Sequence, residues 1–89
     1  MTYKFFMDAG HAWLRVPRKD LFDYGIADEI STFSYQKGNW VYLEEDMDLI
    51  RYMIARNARL LSDLGNIVEV NSHWSKIRSY PRFDMRGVM

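Results

Sequence analysis

The chain has 89 residues, which allows one domain with a core of modest size. Its 12 acidic and 12 basic side chains balance, so it has too little acid for a wholesale DNA mimic, and it has no cysteine for a disulfide, a thiolate zinc site or a cysteine nucleophile. The N-terminal residues resemble neither a signal peptide nor a membrane span, so we expect a soluble, intracellular protein.

The first third of the sequence predicts two strands and a short helix. Thr2–Met7 is the first predicted strand, and residues 8–10 form a turn. Residues 11–16 alternate as a half-buried strand does, with Ala12, Leu14 and Val16 on one side and His11, Trp13 and Arg15 on the other. After Pro17, residues 18–24 predict a helix that Gly25 ends, with Leu21 and Phe22 facing inward.

The middle of the chain predicts a hairpin followed by one long helix. Residues 33–36 and 40–43 flank a turn at residues 37–39. Asp46 is the predicted cap of a helix over residues 47–64, with Asp48 in its first turn. The helix carries one apolar stripe, formed by Leu49, Ile50, Met53, Ile54, Ala58, Leu61 and Leu64.

The last part of the chain predicts one more strand, at residues 67–70, and a basic, aromatic tail over residues 71–89. Trp74, Ile77, Tyr80 and Phe83 recur every three residues in that tail, but Pro81 argues against one continuous helix. The predicted fold class is therefore α+β, in a single domain over residues 1–89. It has a small antiparallel sheet with one long amphipathic helix packed on one face.

A resemblance to a known family rests on the segments HAWLRVP, GIADEIS and FSYQKGNWVYLEED and on the aspartate two residues beyond them, Asp48. These segments resemble a family of small proteins from tailed bacteriophages and related mobile elements, with the recurring pattern HGWLxVP, LGIADxIS, YSY and YLEEDCD. The chain departs from this pattern at Ala12, where glycine is expected, and at Met47, where cysteine is frequent. The resemblance covers roughly residues 8–50 and carries no catalytic or binding assignment. It implies a phage accessory protein that acts in the host cytoplasm.

No pattern in the sequence points to catalysis, so we expect neither an enzyme nor a metal or cofactor site. The two histidines lie far apart, and the spacings HxH, HExxH and CxxC do not occur. The ordinary role for His11 is to satisfy the turn at residues 8–10 through a ring nitrogen. His73 is expected to be exposed.

Two surfaces are candidate binding sites. The first is the acidic cluster of Glu44, Glu45 and Asp46, which could attract a basic protein surface. Capping and solvation are the alternative for these residues, with Glu44 and Glu45 expected to be exposed. The second is an aromatic sheet face, on which a loop at Lys37 and Gly38 would pair Tyr35 with Trp40 and Phe33 with Tyr42. The predicted binding residues are Glu44, Glu45, Asp46, Trp13, Tyr35, Trp40 and Tyr42.

Three partners remain open for the aromatic face, besides burial under the chain's own tail. A host protein is favoured, which makes the chain an accessory protein that inhibits or modulates, for example, a defence or nucleic-acid-processing complex. The alternative is a nucleic-acid-binding module that uses the aromatic face and the basic C-terminal segment. A homodimer would also cover that face. No membrane partner is expected.

Overall fold

The structure, a computed structural model, describes residues 1–87 of the chain. Within that range a five-stranded sheet is combined with two α-helices and three short 3-10 helices. The strands are β1 (Thr2–Met7), β2 (Ala12–Pro17), β3 (Tyr35–Lys37), β4 (Trp40–Glu44) and β5 (Asn66–Asn71); the α-helices are α1 (Arg18–Asp23) and α2 (Asp48–Ala55), and the 3-10 helices are Ala27–Glu29, Leu61–Asp63 and Lys76–Ser79.

The sheet is mixed, which corrects the predicted antiparallel sheet. Its strand order is β3-β4-β2-β1-β5. Neighbouring strands are antiparallel except β1 and β5, which run parallel. Phe5 of β1 therefore lies opposite Leu14 of antiparallel β2 and opposite Glu69 of parallel β5. Parallel pairing requires a crossover connection, and here the crossover is the whole chain between β1 and β5.

The first predicted helix is confirmed in place, together with its stop signal. Gly25 has a φ of +70°, the left-handed conformation that follows many helix ends. Its N–H donates to the carbonyl of Phe22, and the N–H of Ile26 donates to the carbonyl of Leu21, which is the bonding pattern of a Schellman motif. Leu21 is buried as predicted, whereas Phe22 is exposed.

The predicted long helix is wrong: α2 spans Asp48–Ala55, and no other α-helix in residues 1–87 exceeds six residues. The helix stops because Asn57 adopts a φ of +55°. The N–H of Asn57 donates to the carbonyl of Ile54, and the N–H of Ala58 donates to the carbonyl of Met53. This is a second Schellman motif, with asparagine in the position that glycine usually takes.

The buried face of α2 also differs from the predicted stripe. Ile50 and Ile54 are 50% and 73% exposed, whereas Leu49 and Tyr52 are buried. The helix is thus rotated about its axis relative to the predicted orientation. Asp48 accounts for this difference, because its fully buried carboxylate faces inward at the start of the helix. The residue before the helix is Met47, which makes no capping bond, so Asp46 is not the cap that the sequence predicts.

The two faces of the sheet divide as the strand alternation predicts. One face forms the main core with both helices, and it includes Leu14, Val16, Val41 and Leu43. The opposite face carries a smaller cluster of Trp13, Tyr35, Tyr42 and Ile77, with Phe6, Trp40 and Tyr80 packed against it. Ile77 and Tyr80 come from the C-terminal segment, which therefore covers this second face.

Candidate functional site

The C-terminal segment is attached to the sheet along the edge of β3. Tyr35 and Arg82 form an isolated bridge, the N–H of Gln36 donates to the carbonyl of Pro81 at 2.9 Å, and the N–H of Phe83 donates to the carbonyl of Ser34 at 2.8 Å. These bonds occupy the open edge of β3, so the segment both extends the sheet and folds over its aromatic face.

Asp8 holds the beginning of the same segment. Arg78 donates to both carboxylate oxygens of Asp8, from Nε and from Nη2, each at 2.8 Å, and the N–H of Ser75 donates at 3.0 Å. The Arg78 guanidinium, with further help from backbone N–H groups, holds the pKa of Asp8 far below its usual range. The remaining bonds to Asp8 come from the backbone N–H groups of Gly10 and His11. The turn at residues 8–10 is thus satisfied by the Asp8 carboxylate and not, as predicted, by the His11 ring.

Three of the four predicted aromatic binding residues are buried beneath this segment. Trp13, Tyr35 and Tyr42 are buried, and Trp40 is half-buried with the Arg15 guanidinium 4.1 Å from its ring centroid. The predicted pairing is also out of register, because Tyr35 lies opposite Tyr42 and Lys37 opposite Trp40. The rings therefore share one face, as predicted, but most of that face is closed.

The acidic cluster is divided between the interior and the surface. Glu44 is only 8% exposed, which corrects the expectation that it is solvated, whereas Glu45 and Asp46 are exposed. Glu44 lies opposite Trp13 in the β2–β4 pair, so its side chain belongs to the aromatic face. Burial raises its pKa, although its bond from the N–H of Asp46, at 2.8 Å, acts in the opposite direction.

One open groove remains on this face, beside the ends of β2 and β4, with a volume of about 440 Å³. It brings together four of the predicted binding residues and leaves out Glu45, Trp40 and Tyr42. Its walls are formed by His11, Trp13, Phe33, Tyr35, Glu44, Asp46, Met47, Arg78 and Arg82. The volume lies at the lower end of the range of small-molecule sites, about 300–1,000 Å³.

The sequence places Phe33 on the aromatic face, but it does not indicate that Met47, Arg78 and Arg82 line a common site with it. Phe33 and Met47 are exposed at the rim of the groove. Arg78 and Arg82 belong to the basic tail, and no local pattern tells which part of the sheet that tail covers. The Arg82 guanidinium lies 4.9 Å from the centroid of the Tyr35 ring, and its Nη1 donates to the carbonyl of Thr32.

The Trp13 indole is the one groove side chain with an unmet hydrogen-bonding requirement. Trp13 is 2% exposed, and its Nε1–H has no hydrogen-bond partner among residues 1–87. Buried indole N–H groups usually have a partner, because leaving the donor unpaired costs roughly 1–3 kcal/mol. The neighbouring His11 ring lies 5.8 Å away between centroids and provides a second, exposed ring at the same end of the groove.

Neither a cluster of metal-ligating side chains nor a membrane-spanning helix is found among the described residues. Residues 1–87 hold no group of three His, Asp or Glu side chains arranged to bind a metal ion. Within the same range, every helix is too short or too polar to traverse a bilayer.

Comparisons with protein-family models, curated proteins and solved structures return no match.

Proposed function

We propose that the chain is a phage-encoded accessory protein that binds a host protein in the host cytoplasm and inhibits or modulates it, for example a defence or nucleic-acid-processing complex. The observation that carries the proposal is the groove, because aromatic, apolar and charged side chains meet there and remain open. Its rim carries Phe33 and Met47, both exposed, beside the carboxylate of Asp46. Exposed aromatic and methionine side chains with a charged rim are typical of protein interfaces.

The outer face of α2 supports a protein partner further. Ile50 and Ile54 lie one turn apart on the helix, follow Met47 in sequence, and are exposed. They extend the apolar surface from the groove along the helix. Isolated exposed apolar residues are ordinary, but a continuous set next to a groove is typical of an interaction surface.

The folded structure supports nucleic-acid binding less than the sequence does. A single strand needs accessible rings on which bases stack, together with unpaired cations along the backbone path. Trp13, Tyr35 and Tyr42 are buried, and Arg78 is already paired with Asp8. The basic tail therefore uses part of its charge inside the protein.

Affinity capture from host lysate, with and without nuclease, tests the proposal. A partner captured by wild type should then be purified and its affinity measured against two variants. Phe33→Ala removes a ring that is 62% exposed at the groove, and Leu60→Ala removes an equally exposed side chain, at 65%, outside it. We expect Phe33→Ala to weaken binding at least about tenfold and Leu60→Ala to leave it unchanged. Nuclease-sensitive capture that weakens steeply with salt would contradict the proposal and favour nucleic acid.

A further inference from the structure

The charges of the groove do not balance within its walls. Glu44 and Asp46 contribute two carboxylates, and Arg82 contributes one guanidinium that has no carboxylate partner in residues 1–87. The fourth charged side chain, Arg78, is neutralised by Asp8. One negative charge is therefore left in a partly desolvated groove, where a single incoming cation would find a stronger attraction than in open water.

The rings on this side of the sheet already bind guanidinium groups. Arg15 stacks on Trp40 and Arg82 on Tyr35, while Arg78 lies 3.9 Å from the centroid of the exposed Trp74 ring. Phe33 is an exposed groove ring with no guanidinium over it among the described residues, and the other exposed groove ring, His11, lies 5.8 Å from Trp13 between centroids. A planar guanidinium combines stacking on a ring with a forked bond to a carboxylate, which the compact, strongly hydrated ammonium group of lysine does not provide.

From these observations we propose that the groove accepts an arginine side chain of the partner protein, with the guanidinium stacked on Phe33 and paired with Glu44 and Asp46. The inference rests on the proposed function, since it names the chemistry that the partner presents. The Trp13 ring lines the same groove, so its indole N–H reports on what the groove binds. Apolar residues beside that arginine would contact Met47 and the exposed face of α2.

The test uses small probes and the indole signal of Trp13 as the reporter. The protein is labelled with ¹⁵N and titrated with N-acetyl-arginine N-methylamide, with the citrulline analogue, which has nearly the same shape but no charge, and with the aspartate analogue. We expect the arginine probe to shift the Trp13 indole resonance saturably, with a millimolar Kd. The citrulline and aspartate probes should bind at least about tenfold more weakly, because each lacks the charge-assisted contact.

Matched variants separate the groove from general electrostatics. Glu44→Gln removes a charge inside the groove, and Glu45→Gln removes the same charge from the next residue, which is exposed and lies outside the groove. Glu44→Gln should weaken the arginine probe at least about tenfold, and Glu45→Gln less than about twofold. Asp46→Asn is the second groove variant, because Asp46 is exposed and its replacement should leave the fold intact even if Glu44→Gln does not fold.

Each outcome decides the inference separately from the proposed function. Equal binding of the arginine and citrulline probes, preference for the aspartate probe, or equal effects of the Glu44 and Glu45 variants would overturn arginine recognition. A host protein captured through another surface would then still support the proposed function. If the arginine probe binds as expected and no host protein is captured, the groove chemistry stands and the proposed function fails.

Discussion

Replacing Asp48 most directly tests the hydrogen bonds that hold together the segments next to the groove. Its carboxylate accepts hydrogen bonds from the N–H of Ser31 at 3.1 Å, from Ser31 Oγ at 2.7 Å and from Ser34 Oγ at 2.6 Å. Ser34 Oγ in turn accepts from the N–H of Glu44 at 3.0 Å. One buried carboxylate thus ties the start of α2 to the loop before β3 and, through Ser34, to the end of β4.

The cost of Asp48→Ala follows from the donors that it leaves unpaired. A hydrogen bond to a charged group contributes about 1.5–3 kcal/mol, and a buried donor without a partner costs about 1–3 kcal/mol. Three donors lose their acceptor, but solvent reaches Ser31, which is only half-buried, so the effects do not simply add. We expect Asp48→Ala to lower the free energy of unfolding by about 3–5 kcal/mol. Since a chain of 89 residues has a stability of roughly 4–13 kcal/mol, this is a large part of the total.

Urea denaturation measures that loss, with Asp46→Ala as the matched control. Asp46 is the exposed aspartate two residues earlier that sequence rules select as the helix cap, and its replacement should cost under about 0.5 kcal/mol. Asp48→Asn keeps one acceptor oxygen and should fall between the two. An Asp48→Ala cost below about 1 kcal/mol, or a larger cost for Asp46→Ala, would refute the role given to Asp48.

Three further predictions concern α2 and the groove. Leu49→Ala should lower the free energy of unfolding by about 2–5 kcal/mol and Ile54→Ala by under about 0.5 kcal/mol, because Leu49 is buried and Ile54 is exposed; equal costs in urea denaturation would contradict this burial pattern. Asn57→Ala should cost about 1 kcal/mol while Asn57→Gly is neutral or stabilising, because the φ of +55° strains a residue with a Cβ; a calorimetric Tm that falls in both variants would argue against the left-handed conformation. Burial raises the pKa of Glu44, so ionising this side chain opposes folding. The stability of wild type relative to Glu44→Gln should therefore fall as the pH rises from acid through that pKa. A stability difference that stays constant or grows with pH would contradict the raised pKa.

The sequence predicts the end of a helix where the residue type is a specific stop signal, and misses it where the residue type is not. Gly25 and Asn57 end the two helices with the same bonding pattern. Glycine in a helical pattern is a strong stop signal, whereas asparagine is also common within and around helices. The sequence predicts one long helix because Ala58, Leu61 and Leu64, beyond Asn57, continue the helical periodicity of the apolar residues.

Strand alternation also predicts the sheet face on which Glu44 lies. Side chains two residues apart share a sheet face, so placing Trp40 and Tyr42 on the aromatic face also places Glu44 there. The predicted register was nevertheless wrong, because the two-residue loop consists of Gly38 and Asn39. Gly38 has a φ of +59° at the first loop position, where such hairpin loops favour glycine. The difference between the two pairings preserves the face of every side chain, so the face assignment survived the error in register.

The remaining half of the groove depends on contacts between residues that are remote in sequence. Arg78 meets Asp8 across nearly the whole chain, and Arg18 reaches the carbonyls of Asp84 and Met85. No periodicity within the tail predicts such contacts, because they depend on the charge and shape of residues that only the folded sheet brings together. The tail therefore closes the centre of the aromatic face and, with Arg78 and Arg82, builds one wall of the opening at its end. The rings alone therefore indicate the whole face as a binding surface. A partner of the folded protein meets the groove instead, with its unpaired carboxylate charge and the exposed ring of Phe33.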